Sequence, residues 1–252
     1  MTKVSLEELV KSGAHFGHQI RRWNPKIKPF IYGEQEGIHI FDLVKTKAEL
    51  EAALDVLTKA SAAGKKIIIV GTKKQAREKV KEIAKESGIN YVTERWLGGI
   101  LTNFDQVKKS IKKLDEMRTK MAAGEYGKYT KKERLLIERE IARLERFFGG
   151  LEGLDALPDL IIIVDIKKEI GAVLEARFKG VETIGLVDSN ADPDMVDWPI
   201  PINDDAKKVL DYVLGLFKEA ILEGKRPKSD KKEATSDKKK VSIKKKLHGK
   251  TK

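Results

Sequence analysis

Two stretches of this chain leave few folds open: "KKIIIVGTKKQ" at 65–75 and "PDLIIIVD" at 158–165. Ile67–Val70 and Leu160–Val164 are continuous apolar runs, mostly β-branched. A strand with one wet face alternates apolar and polar residues, and these do not alternate. Both read as strands covered on two faces, the situation of parallel α/β sheets. The flanking pattern supplies the covering helices. Thr46–Ala63 carries Leu50, Leu54 and Leu57 on one side and ends at Gly64. A second helix is expected from Lys74 to Glu86, closed by Gly88, with a short strand at Tyr91 and Val92. After the second apolar run, Lys168–Phe178 reads as helix and Thr183–Val187 as strand. Ile200–Ile202 reads as a proline-flanked edge strand, and Asp204–Leu222 as the last helix. Strands alternating with helices give a doubly wound parallel sheet.

The alternation breaks once. Val107, Ile111, Leu114 and Met121 recur at helical spacing, and so do Ile137, Ile141, Leu144 and Phe148. Between them lies the turn "AGEYGKY", followed by a capping box at Thr130 and Glu133. Two such stripes joined by a short turn predict an antiparallel coiled-coil helical hairpin inserted into the sheet domain. The domain expectation is therefore a discontinuous α/β body over 1–104 and 149–224, the hairpin over 105–148, and a tail over 225–252. Near the start, Ser5–Ser12 reads as a short capped helix. Pro25 and Pro29 are expected to hold extended backbone around Ile27. Phe30–Tyr32 and Ile38–Phe41 are strand candidates around a turn at Gly33–Gly37.

Charge is unevenly placed. The chain is +12 overall, yet Lys225–Lys252 alone holds 13 basic and 3 acidic residues. The rest is nearly neutral. A basic tail suits an acidic partner such as nucleic acid, or serves as a solvated, disordered end. With no cysteine there is no disulfide and no thiol chemistry, as expected of a reducing cytosol. No apolar run approaches the roughly 20 residues of a membrane span, and the first residues do not read as a signal peptide.

Three constellations compete for function. Gly71-Thr72-Lys73-Lys74 turns from strand to helix and could cradle a phosphate, with Asp165 and Asp188 ending later strands. That would suit a nucleotide-binding or phosphotransfer enzyme, but neither GxxxxGK[ST] nor GxGxxG follows a strand. His15 and His18 sit three apart, without the second pair a zinc site would want, so packing or hydrogen bonding fits them better. The third constellation pairs cations with aromatics. Arg21, Arg22, Lys26 and Lys28 surround Trp23, and Arg95-Trp96 precedes Gly98-Gly99. Lys108, Lys109, Lys112 and Lys113 line the first hairpin arm, within a segment of 13 basic and 8 acidic residues. Guanidinium forks and indole faces are RNA-binding chemistry. A separate acidic group, Asp188, Asp192, Asn203, Asp204 and Asp205, falls in two loops that the fold could bring together. Oxygen ligands without cysteine or a nearby histidine would suit magnesium. Helix and loop capping is the simpler role for them.

"LVKSGAHFGHQIRRWNPKIKPFIYG", "RWLGGILTNF", "LPDLIIIVDIKKEIGAVLEA" and "LVDSNADPDMVDWPIPINDDA" stand in this order. Together they resemble the signatures of the bacterial family of small-subunit ribosomal protein two, from about Val4 to Gly224. The resemblance implies a flavodoxin-like α/β body with a protruding coiled-coil hairpin. It implies a structural role between head and body of the small ribosomal subunit, in the cytoplasm. Small-subunit ribosomal RNA, ribosomal protein one and neighbouring small-subunit proteins would be its partners. Catalysis, membrane attachment, a small-molecule substrate and a required cofactor are not implied. With it, the expected RNA-facing set is Arg21, Arg22, Trp23, Lys26, Lys28, Lys73, Lys74, Arg95, Trp96, Asn103, Lys108, Lys109, Lys112 and Lys113. His15 and His18 are expected to order the turn before the first cluster.

Overall fold

A computed structural model describes residues 4–226. The tail expectation beyond residue 226 lies outside them. The chain opens with α1 (Leu6–Ser12), capped by the Ser5 hydroxyl, and β1 (Phe16–Gln19). β2 (Ile31–Gln35) and β3 (Ile38–Phe41) follow, and β1-β3-β2 form a small antiparallel sheet. The turn between β2 and β3 has Glu36 and Gly37 both at positive φ, 52° and 77°. Two left-handed central residues make the tight hairpin turn whose twist matches its strands.

The main sheet and its helices come next: α2 (Leu43–Ala62), β4 (Ile67–Val70), α3 (Arg77–Ser87) and β5 (Asn90–Val92). After two long helices, α4 (Phe104–Ala122) and α5 (Lys131–Phe148), the alternation resumes. β6 (Leu160–Ile163), α6 (Ile170–Lys179), β7 (Glu182–Val187), β8 (Trp198–Pro201) and α7 (Lys207–Lys225) complete the described chain. The sheet order is β5-β4-β6-β7-β8, all parallel. Counted within the sheet this is 2-1-3-4-5, the flavodoxin-like order, which reverses direction between β4 and β6.

The unbroken apolar runs are explained by two cores. Ile67 and Ile69 of β4 and Leu160 and Ile162 of β6 point into one, with α2, α3 and α7. Ile68, Val70, Ile161 and Ile163 point into the other, with α6 and the 96–101 loop. Successive side chains in a strand take opposite faces, so a strand buried twice needs apolar residues at every position.

Helix starts differ from the sequence expectation by about a turn. α2 begins at Leu43 because the Asp42 carboxylate accepts from the amides of Val44 and Lys45. α3 and α7 begin at Arg77 and Lys207, after turns whose polar groups are engaged elsewhere. The proline-rich Pro25–Phe30 is not extended but a 3-10 helix. Proline's fixed φ suits that helix as well as extended chain, and the Asn24 side chain caps it through the Lys26 amide.

α4 and α5 lie side by side. Lys113 Nζ is 3.1 Å from Glu140, and Arg118 reaches Glu145 and Glu152, each at 2.7 Å. Val107, Ile111, Leu114 and Leu144 are buried, whereas Leu135, Leu136 and Met121, farther from the sheet, are exposed. The chain returns to the sheet past Gly150, where a Cβ would lie 2.2 Å from the Tyr91 carbonyl oxygen. Only a glycine allows that approach of the loop to β5.

Two outcomes are expected. Leu114→Ala, at a fully buried position, lowers stability by about 2–5 kcal/mol, and Leu136→Ala, at an exposed one, by less than about 0.5 kcal/mol. Equal losses in urea titration would show that the two helices do not pack as described. Gly150→Ala pushes the loop off β5 and lowers the melting temperature, whereas Gly127→Ala, with open space around it, leaves it unchanged.

Candidate nucleic-acid interface

The ends of β4 and β6 meet at the point where the sheet order reverses, and a charged cluster fills that point. Lys73, just past β4, is 2.9 Å from Asp165, 2.6 Å from Asp204 and 2.6 Å from Asp205. Asp165 follows β6 with φ of 68°, a left-handed conformation that aspartate tolerates better than most residues. From there its other oxygen accepts from the Lys168 amide. Asp188, 1% exposed, ends β7; its carboxylate is 2.9 Å from His18 Nδ1 and also takes the Ser189 amide. His18 Nε2 lies 3.6 Å from Asp205.

Four carboxylates thus share one ammonium and one imidazole. Burial works against a charged Lys73, but Asp204, Asp205 and Asp165 outweigh it and raise its pKa above the ordinary lysine value. Burial of Asp204, with repulsion from Asp188 and Asp165, holds its carboxyl well above the usual carboxylate range. The hydrogen bond to Asp188 raises His18, and burial opposes it.

This geometry changes three expectations. Lys73 is enclosed by carboxylates and unavailable to an RNA phosphate. The Gly71–Lys74 turn does not form a phosphate cradle either, since an anion there would meet Asp165, Asp204 and Asp205. The five oxygen ligands expected together are divided: Asp192 pairs with Lys26 at 2.8 Å, and the Asn203 side chain caps the amides of Asp205 and Ala206. Among the described residues, His18, Asp188 and Asp205 are the set whose ligand atoms converge, all within 4.8 Å. The expectation of magnesium rests on these loops having no histidine nearby. β1 brings His18 in from 170 residues away in sequence, and a mixed nitrogen and oxygen set suits a borderline transition ion better.

The basic-aromatic clusters are also sorted by the fold. Trp23 is half-buried, its ring 4.9 Å from that of His39. Trp96 is 7% exposed, and its indole N–H donates to Glu175. Trp96 therefore has no open face for a base. The same carboxylate accepts from the amides of Gly99, Leu101 and Thr102 at 2.8–3.1 Å, holding the whole "RWLGGILTN" loop on α6. A single glutamate in the otherwise apolar "GAVLEA" was the only sequence sign of this clamp.

The cations are mostly outside. Arg21, Arg22, Lys26, Lys28, Lys74, Arg95, Lys108, Lys109, Lys112 and Lys113 are exposed, as is Asn103. Lys26 is held by Asp192 and Asp194, Lys113 by Glu140, and Lys108 donates to the Asp155 carbonyl. Arg22, Lys28, Lys74, Arg95 and Lys109 make no ion pair with another described residue. His15 and His18 do not act as a pair. His15 stacks on Phe16, while His18 joins the carboxylate cluster.

The His18 contact carries a pH signature. Because its folded pKa is raised, its contribution is complete below the ordinary imidazole value of about 6.5 and fades as pH rises through the higher folded value. The stability gap between the native chain and His18→Gln should therefore shrink as pH rises above about 6.5. Thermal melts across that range check it, and a gap that widens with pH contradicts the assignment.

The comparison with known proteins places this arrangement. A family model described as "Ribosomal protein S2" matches residues 9–224. The chain is 44% identical over 225 residues to small ribosomal subunit protein uS2 of Coprothermobacter proteolyticus, covering 89% of this chain and 84% of that one. It is 47% identical over 224 residues to the uS2 protein of Amoebophilus asiaticus, covering 89% and 72%. Against that of Chlorobaculum tepidum it is 45% identical over 224 residues, covering 89% and 90%. The match spans both halves of the sheet and the helices between them, with the charged cluster and the clamped loop inside it; the chain belongs to the ribosomal protein S2 family.

Proposed function

We propose that this protein is a structural constituent of the small ribosomal subunit that binds its RNA through an exposed cationic surface. It has no catalytic role, in keeping with its family. The observation that carries the RNA reading is the division of the cations. Lys73 is consumed inside, while Arg22, Lys28, Lys74, Arg95 and Lys109 stand exposed with no ion pair to another described residue. Cations without carboxylate partners are the ones free to replace counterions on a phosphate backbone. Arg21, Lys26, Lys108, Lys112, Lys113 and Asn103 flank them at the surface.

The finer reading follows the same division. Residues 105–148 are an inserted antiparallel coiled-coil hairpin on an α/β body of 1–104 and 149–224. The support is the burial of Ile111, Leu114 and Leu144 beneath cross-helix ion pairs. The body and hairpin together give the protein two arms of contact. This suits a position between head and body of the subunit, with recruitment of ribosomal protein one as its service to translation. No helix of the described residues is long and apolar enough to cross a membrane, in line with a place in the ribosome.

RNA binding is tested by its salt dependence. Arg22→Ala with Lys28→Ala should flatten the plot of log affinity against log salt by about 0.7–0.9 for each phosphate left unneutralised. Lys11→Ala, exposed on α1 and already facing Glu8, should leave the slope unchanged. An unaltered slope in the double variant would remove this cluster from the interface. Replacing 105–148 by a glycine bridge should leave a body that unfolds cooperatively. Loss of that cooperativity would refute the insertion.

A further inference from the structure

The base of the hairpin does not close flush against the sheet domain. Between α3, the end of β5 and the last turn of α5 lies a cleft of about 620 Å³, within the roughly 300–1,000 Å³ of small-molecule sites. Lys81 and Lys85 stand on its α3 wall, four residues apart and so on one side of the helix. Tyr91 of β5 and Phe147 of α5, both half-buried, bring aromatic rings to it. The Arg146 guanidinium lies over the Phe147 ring, 5.7 Å from its centre.

The charges of the cleft divide into spent and free. Three carboxylates line it, Glu94, Glu145 and Glu152, and arginines answer all three. Glu94 is 2.9 Å from Arg146 and 3.5 Å from Arg77, and Arg118 lies 2.7 Å from both Glu145 and Glu152. Lys81 favours the charged form of Glu94 from nearby without pairing with it. The carboxylates of α3 itself, Glu78, Glu82 and Glu86, are not in the walls. Two exposed ammoniums remain uncommitted, since neither Lys81 nor Lys85 makes an ion pair with another described residue.

We infer that this cleft binds a nucleoside phosphate, with its base against the stacked Phe147 and Arg146 and its phosphate at Lys81 and Lys85. The ligand is a free nucleotide or an unpaired residue of RNA; the second source rests on the RNA reading above, and the first does not. Aromatic rings and guanidinium planes stack bases, while ammoniums hold phosphate as point charges. A nucleotide carries both groups on one small frame. A metal ion would meet the two free ammoniums. An acidic peptide would satisfy them but leave the rings without a planar partner. Duplex RNA keeps its bases stacked on one another, out of the cleft.

Calorimetric titration of the full chain compares ADP with adenosine and with inorganic pyrophosphate. Fluorescence polarisation compares an RNA stem-loop bearing one bulged adenosine with the same stem fully paired. A free-nucleotide site binds ADP about tenfold or more tightly than either fragment, and an RNA site prefers the bulged stem-loop by a similar factor. In both cases Lys81→Ala with Lys85→Ala removes the preference. Phe147→Leu, which keeps apolar bulk and loses the ring, removes it too. Lys207→Ala with Lys208→Ala, exposed on α7, changes nothing. Lys81 and Lys85 are exposed, so their double variant keeps its melting temperature and decides the matter even where Phe147→Leu does not fold. Absence of both preferences would overturn the proposal, and pyrophosphate binding equal to that of ADP would then mark a bare polyanion contact. A preference that survives the two lysine substitutions would overturn it as well. Arg22→Ala with Lys28→Ala lies outside the cleft; it tests the RNA reading alone and leaves ADP binding unchanged.

Discussion

The contact on which the rest of the molecule depends is the ammonium of Lys73. It leaves the end of β4 and bonds to Asp165, past β6, and to Asp204 and Asp205, past β8. In a parallel sheet the loops beyond the strand ends share no backbone ladder, so side chains must join them. One cation here ties the first strand of the sheet to its third and fifth. The carboxylates outnumber it, and the His18 imidazole reaches two of them from the small N-terminal sheet. The cluster therefore also fastens the antiparallel sheet to the main one.

A second polar device works on the other side of the sheet by the opposite means. There a single carboxylate, Glu175, gathers amides and the Trp96 indole. It sets the loop that launches α4 and so fixes where the two long helices leave the body. Burial of this carboxylate raises its pKa and its hydrogen bonds lower it, with the bonds winning. It thus remains charged at neutral pH. Acid should loosen this loop before it loosens the strands beneath.

Much of the architecture was legible in the residues. Ile67–Val70 and Leu160–Val164 announce doubly covered strands because nothing polar interrupts them. Thr130 and Glu133 announce the start of α5, and the capping box is there. What could not be read was which distant polar groups meet. His18 looks like half of a histidine pair until β1 places it beside Asp188. Lys73 looks like a surface lysine in a run of cations, yet it is 8% exposed. Trp96 looks like a stacking platform, yet its partner is 79 residues away in sequence. Pairings of this kind depend on the register of the whole sheet, which local pattern does not carry. The prolines at 25 and 29 show the same limit on a smaller scale. Proline fixes φ and leaves ψ to the neighbours, and Asn24 decided for a helical turn.

The two borders of the main sheet bear on the life of the protein before it meets its partners. β8 carries Pro199 and Pro201, neither of which has an amide hydrogen to offer a newcomer. At the opposite border the loop at Gly150 lies against the carbonyl of Tyr91. An unguarded sheet margin is a template on which further chains can add as strands. Closing both margins withdraws that template from the main sheet, so its strands offer an approaching chain no free ladder.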